Sequence, residues 1–157
     1  MPSILTPRRA LRLLASAAVL AGLVACNDVA APDEGDHADE IVAMRLTVAG
    51  TAGSATYRLT DGGVLTPSPL RLPVGVASVT VDFLDEQDAV LDDVPASEYE
   101  IQFANLPTGL AFARTGAFTG AFTGTASGTG TMQIQLFHLE EQHPDLGPYF
   151  LPTVVAP

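Results

Sequence analysis

From Ile41 onward the apolar residues recur every second position, and no sustained 3.6-residue period follows residue 25. Val42, Met44, Leu46 and Val48 alternate with Ala43, Arg45 and Thr47. Side chains that alternate this way point to opposite faces of an extended chain, the pattern of a half-buried strand. The same period returns in Ala55, Tyr57 and Leu59, in Val79, Val81 and Phe83, in Tyr99, Ile101 and Phe103, in Leu110, Phe112 and Arg114, and in Met132, Ile134 and Leu136. Turn signals separate these runs: Gly50–Gly53, Asp61-Gly62-Gly63, Asp85-Glu86-Gln87-Asp88 and Asn105–Gly109. Val64-Leu65 is expected to start a short edge strand, Pro67, Pro69 and Pro73 to keep the next piece extended but poor at pairing, and Pro152–Ala156 to form a final strand. The expected fold is all-β, a single antiparallel sandwich of about seven strands.

One stretch resists a simple reading. Between Gly116 and Gly130 the near-repeat Gly-Ala-Phe-Thr sets Phe118 and Phe122 four positions apart. Four residues return to one face in a helix as well as in a strand. The glycines and threonines oppose a helix, so a strand is expected.

The first 26 residues have another character. Arg8, Arg9 and Arg12 precede an apolar run from Leu13 to Leu23, and small residues (Ala21, Gly22, Ala25) lead to Cys26. The run is too short for a spanning helix, which needs roughly 20 apolar residues. Leu23-Val24-Ala25-Cys26 resembles the lipobox of bacterial lipoproteins. The resemblance implies a signal peptide over residues 1–25, cleavage between Ala25 and Cys26, and acylation of Cys26, palmitate included. Asn27 stands where an aspartate retains many lipoproteins in the inner membrane of Gram-negative cells. The expected location is therefore the outer membrane of a bacterial envelope, on its periplasmic or surface side.

Cleavage would leave 132 residues, enough for one domain with its own core. All 18 acidic residues follow Cys26, against four arginines and no lysine, so the mature formal charge is −14. A chain this acidic repels phosphate backbones, which excludes nucleic acid as a partner. The single cysteine is taken by the anchor, leaving no disulfide for the folded part. Residues 26–40 carry six acidic residues, Pro32 and Gly35. Like charges and low hydrophobicity make this segment a tether of roughly 20 Å, with the sandwich domain following over 41–157.

Within that domain three stretches resemble bacterial immunoglobulin-like group 2 domains: Leu72-Pro73-Val74-Gly75, Val79 through Glu86, and Phe122 through Thr131. The likeness spans roughly residues 70–137 and implies an immunoglobulin-like sandwich with a structural or adhesive role. Where that family has a glycine in the turn after the second stretch, this chain has Asp88-Ala89. The segment His143-Pro144-Asp145-Leu146-Gly147-Pro148 is similar to the tail of uncharacterised envelope lipoproteins, and implies no activity.

The histidines fall in two places: His37, before the first strand, and His138 and His143, after the penultimate one. An even number of strands from first to penultimate would bring both places to one pole. Imidazoles beside Asp36, Asp39, Glu140 or Asp145 form a ligand set suited to zinc or copper. The expected metal ligands are His37, His138, His143 and Asp145. Solvated loop histidines are the competing reading, with His138 as a strand-end residue.

Other constellations are weaker. Asp82, Asp85, Glu86 and Asp88 offer oxygen ligands for calcium but lack the dedicated loop pattern. Asp92-Asp93 and Glu140-Glu141 are adjacent carboxylates of the kind usually solvated. Ser127 has no nucleophile-elbow context, and the Gly-Thr run has neither the lysine nor the helix of a phosphate loop. No nucleophile, base and orienting group occur together, so the sequence argues against an enzyme. It favours a membrane-anchored binding module for a divalent metal or a protein partner. The alternative is a structural or adhesion domain without a small-molecule site.

Overall fold

A computed structural model describes residues 40–157. The described residues form ten strands: β1 (Ala43–Gly50), β2 (Gly53–Thr60), β3 (Leu65–Thr66), β4 (Leu70–Pro73), β5 (Gly75–Leu84), β6 (Tyr99–Ala104), β7 (Leu110–Gly116), β8 (Thr119–Gly124), β9 (Gly128–His138) and β10 (His143–Ala156). They build two sheets, a six-stranded one in the order β3-β2-β1-β5-β8-β7 and a four-stranded one in the order β4-β10-β9-β6.

The fold is the all-β sandwich that the alternation predicts. From β4 onward, β5-β8-β7 faces β10-β9-β6, with β4 joining the second sheet in parallel with β10. This is immunoglobulin-like connectivity: the second, fifth and fourth of seven strands form one sheet, and the third, sixth and seventh the other. The strand count exceeds seven because β1, β2 and β3 extend the first sheet beyond β5. The expected signal peptide and the tether up to Asp39 lie outside the described residues.

Alternation decides which residues are buried. Met44, Leu46 and Val48 from β1 and Val79, Val81 and Phe83 from β5 meet Ile101, Met132, Ile134, Leu136, Leu151 and Val155 of the other sheet in one core. The only buried polar residue among those described is Thr153, whose hydroxyl donates to the Leu151 carbonyl at 2.9 Å. That bond removes the cost of an unpaired hydroxyl in the core.

The glycine-rich stretch is not one strand: it holds the turn between β7 and β8, all of β8 and the start of β9, and its glycines make room. A Cβ on Gly120 would stand 2.3 Å from Phe112 Cε2, and one on Gly124 would stand 2.7 Å from the Pro73 carbonyl oxygen. Their absence lets the Phe112 ring and the opposite sheet close in. Phe122 packs against Phe103 and Phe112, while Phe118, in the turn before β8, meets Phe83 edge-on with centroids 4.9 Å apart.

Four local expectations differ from the structure. The alternation of the first strand holds only from Met44, since Ile41 and Ala43 are buried and Val42 is half-buried. The proline-rich piece does pair, since Leu70–Pro73 lies alongside Thr153–Ala156. A parallel edge pairing accommodates prolines because only one side of the strand needs donors. Ala55 does not share the burial of Tyr57 and Leu59, because that half of β2 has no core beneath it. The last strand begins at His143 rather than at Pro152.

Asp88 adopts a φ of 59° in the turn after β5. This is the left-handed region that glycine usually fills and aspartate tolerates better than most residues.

Candidate metal centre

β9 and β10 form an antiparallel hairpin in which His138 lies directly opposite His143. On the other side of β9, His138 is the register partner of Tyr99 in β6. His138 thus continues the inward series of Met132, Ile134 and Leu136 to the rim of the core. The Tyr99 ring stacks on it with centroids 4.7 Å apart and planes 28° from parallel. A buried tyrosine therefore limits where that imidazole can turn.

The start of β10 is irregular. Pro144 opposes Phe137 and Leu146 opposes Leu136, so Asp145 is an extra residue on its strand. A bulge of this kind re-aims a side chain without breaking the pair. Here Leu146 takes the core position, while the Asp145 carboxylate, only 8% exposed, stays beside the histidines. A second irregularity follows at Gly147, where a Cβ would lie 2.9 Å from the Ile134 carbonyl oxygen.

The connecting turn supplies a fourth group. Gln142 has a φ of 59° and its amide donates to the His138 carbonyl at 3.0 Å. This tight closure folds Glu141 back over the pair. Glu141 Oε2 lies 2.6 Å from His143 Nε2 and 3.9 Å from His138 Nδ1. Asp145 Oδ1 lies 2.9 Å from His143 Nδ1, and Asp145 Oδ2 lies 3.6 Å from His138 Nδ1.

His138, His143 and Asp145 each offer a ligand atom, all within 4.8 Å of one another. Two ligands bound tetrahedrally to zinc at about 2.1 Å stand about 3.4 Å apart. The His143–Asp145 and His138–Asp145 separations of 2.9 and 3.6 Å bracket that value. Only one nitrogen of His143 can ligate such an ion. A carboxylate on its other nitrogen would then fix the ring and raise its basicity. Without a metal the same contacts hold a proton: the His143 pKa is raised above its ordinary 6.5, chiefly by the hydrogen bond to Glu141 and then by the Pro144 carbonyl and the nearby carboxylate charges, against desolvation.

The structure therefore brings together three of the expected ligands, His138, His143 and Asp145. His37 and Cys26 lie outside the described residues. Ile41 lines the same small cleft as Leu146 and Tyr149. Glu141, not its neighbour Glu140, stands beside the histidines. Its signal in the sequence was a carboxylate three residues after His138, meaningful only once the turn is known to be tight.

The calcium candidates are dispersed among other tasks. Asp82 pairs with Arg45 at 2.8 Å, Asp88 with Arg58 at 2.8 Å, and Asp85 accepts from the Gln87 and Ala89 amides. Tyr149 covers the core and donates to Asp61 at 2.6 Å, while Phe150 is exposed. Comparison with protein-family models, curated proteins and solved structures finds no match to this chain.

Proposed function

We propose that this chain is a lipid-anchored bacterial envelope protein whose sandwich is a binding module for a divalent transition metal, zinc or copper. The observation that carries the metal reading is the convergence of His138, His143 and Asp145 within 4.8 Å, on a bulged hairpin with Glu141 beside them. Two imidazoles and a carboxylate suit borderline cations better than calcium or magnesium, which prefer oxygen ligands. The surrounding acidity raises the local cation concentration. The anchor part of the proposal is supported by the lipobox-like run ending at Cys26. The cluster provides ligands rather than a nucleophile with its base, so the proposal is of a binder and not of an enzyme.

The immunoglobulin-like connectivity favours a second reading, an adhesion or spacer domain with no metal. Thermal unfolding separates the two. Among the described residues the core runs from Ile41 to Val155, all of it inside a fragment from residue 27 onward. Metal that binds only the folded state stabilises it by about 2.7 kcal/mol at a hundredfold excess over Kd, a Tm rise of roughly 10 °C. The metal reading requires that rise with zinc or copper and its loss in a His138→Ala/His143→Ala double variant. An unchanged Tm, or a rise that survives the double variant, leaves the spacer reading.

A further inference from the structure

At the end of the sandwich opposite the histidines, β1 and β2 run past the core and leave a groove of about 360 Å³. Gly53, Ser54 and Ala55 of β2 line one side, and Arg71, Leu72 and Pro73 of β4 the other. We propose that this groove binds an extended peptide segment that adds a strand to the free edge of β2 and places a carboxylate on Arg71.

The edge itself is the first argument. Within β2, the Thr60 amide donates to the Val64 carbonyl, on the side away from β1. Residues two apart along a strand direct their amide and carbonyl the same way. Arg58, Thr56 and Ser54 therefore face that side too. Arg58 is answered by Thr66 of β3, but β3 is only two residues long, and among the described residues no strand stands opposite Thr56 or Ser54. Natural edges are usually blunted by a lysine, a proline, a charge or a bulge. The run Gly53-Ser54-Ala55-Thr56 has none of these, its register with β1 is unbroken, and all four residues are exposed. Small side chains leave the backbone accessible, as strand addition requires.

The charge on the other wall is the second argument. Residues 40–157 contain thirteen acidic residues and four arginines. Arg45, Arg58 and Arg114 each hold a carboxylate, on Asp82, Asp88 and Glu100. Arg71 alone among the described arginines has no acidic partner among the described residues, in a domain where carboxylates outnumber it heavily. Its backbone is fixed from below, because the Tyr57 hydroxyl accepts from the Arg71 amide at 3.0 Å. A guanidinium so placed favours a carboxylate ligand by charge-assisted hydrogen bonds. Elsewhere the acidic surface repels an acidic peptide, which confines it to this groove.

The test uses the full-length chain in detergent micelles and a fluorescein-labelled eight-residue peptide of alternating valine and threonine with one central aspartate, read by anisotropy. Saturable binding is expected. An Arg71→Gln variant should weaken it about tenfold, while leaving unchanged the binding of the same peptide with asparagine in place of aspartate. A peptide N-methylated at alternate amides should not bind, a control that leaves the protein untouched. Equal binding of the methylated peptide, or no loss on Arg71→Gln, overturns the proposal. So does a dimer seen by light scattering that excludes the peptide, since the edge would then serve a second copy of the chain.

Discussion

His143 and Asp145 are joined at 2.9 Å, Nδ1 to Oδ1, although a proline separates them and only one of them is exposed. The bulge makes this compatible with a continuous core, since Leu146 fills the position opposite Leu136 while Asp145 turns to the rim. The carboxylate can thus hold a proton or a metal through the imidazole. Both occupants compete for the one basic lone pair of the His143 ring.

That competition sets a pH dependence. The folded pKa of His143 is raised, with Glu141 the largest cause. The stabilisation from the charged ring is therefore complete below the unfolded value near 6.5 and is lost as pH rises through the higher folded value. Urea unfolding should show wild type gaining over a Glu141→Gln variant below about pH 6.5, with the gain vanishing in mild alkali. Metal affinity should run the opposite way, falling as His143 protonates. A difference between the two proteins that does not change with pH would contradict this account.

The two glycines of β8 should differ in what a methyl group costs. At Gly120 the nearest obstacle is the edge of the Phe112 ring, which can shift, although the Ala113 carbonyl oxygen follows at 2.9 Å. At Gly124 it is the Pro73 backbone carbonyl, with Val155 Cγ1 at 2.9 Å. Gly120→Ala is expected to cost about 1–3 kcal/mol and Gly124→Ala at least as much, measured by urea unfolding. Wild-type stability in both variants would show that the sheets are not held at this separation.

Tyr149 closes the same end of the sandwich that carries the histidines. Its pKa is pushed up to about 12, first by burial and then by the hydrogen bond to Asp61. The raised value makes its contribution complete below pH 10 and lost as pH climbs from there towards 12. Tyr149→Phe should destabilise the fold by about 1 kcal/mol at neutral pH, and ultraviolet titration should find one tyrosine fewer ionising late. A variant with unaltered stability and an unaltered late-titrating group would place the shift elsewhere.

Much of the fold was legible because alternation depends only on which face meets the core. Met44, Leu46, Tyr57, Val81, Ile101 and Ile134 are buried as their period requires. What alternation cannot report is where a strand outruns the core, as Ala55 does, or which strands pair across a long separation in sequence, as Leu70–Pro73 and Thr153–Ala156 do. The site was half visible for the same reason. His138 extends the parity of its strand, so its placement followed from the pattern. His143 reads as a loop residue because it precedes Pro144 in a polar segment; it instead opens a paired strand whose bulges accommodate that segment. Glu141 owes its position to the left-handed turn at Gln142, which no periodicity encodes.

The anchor is tested apart from the metal. In a bacterial host, labelled palmitate should attach to the wild-type chain and not to a Cys26→Ala variant, which should leave the membrane fraction. A variant still held at the bilayer would remove the proposed location.

X-ray absorption at the zinc edge of the loaded protein is the most direct measurement of the central claim. The account predicts two imidazole nitrogens at about 2.0–2.1 Å with carboxylate oxygen completing the shell, and one imidazole fewer in a His143→Ala variant. A first shell of oxygen alone, or a spectrum unchanged by that substitution, would contradict it.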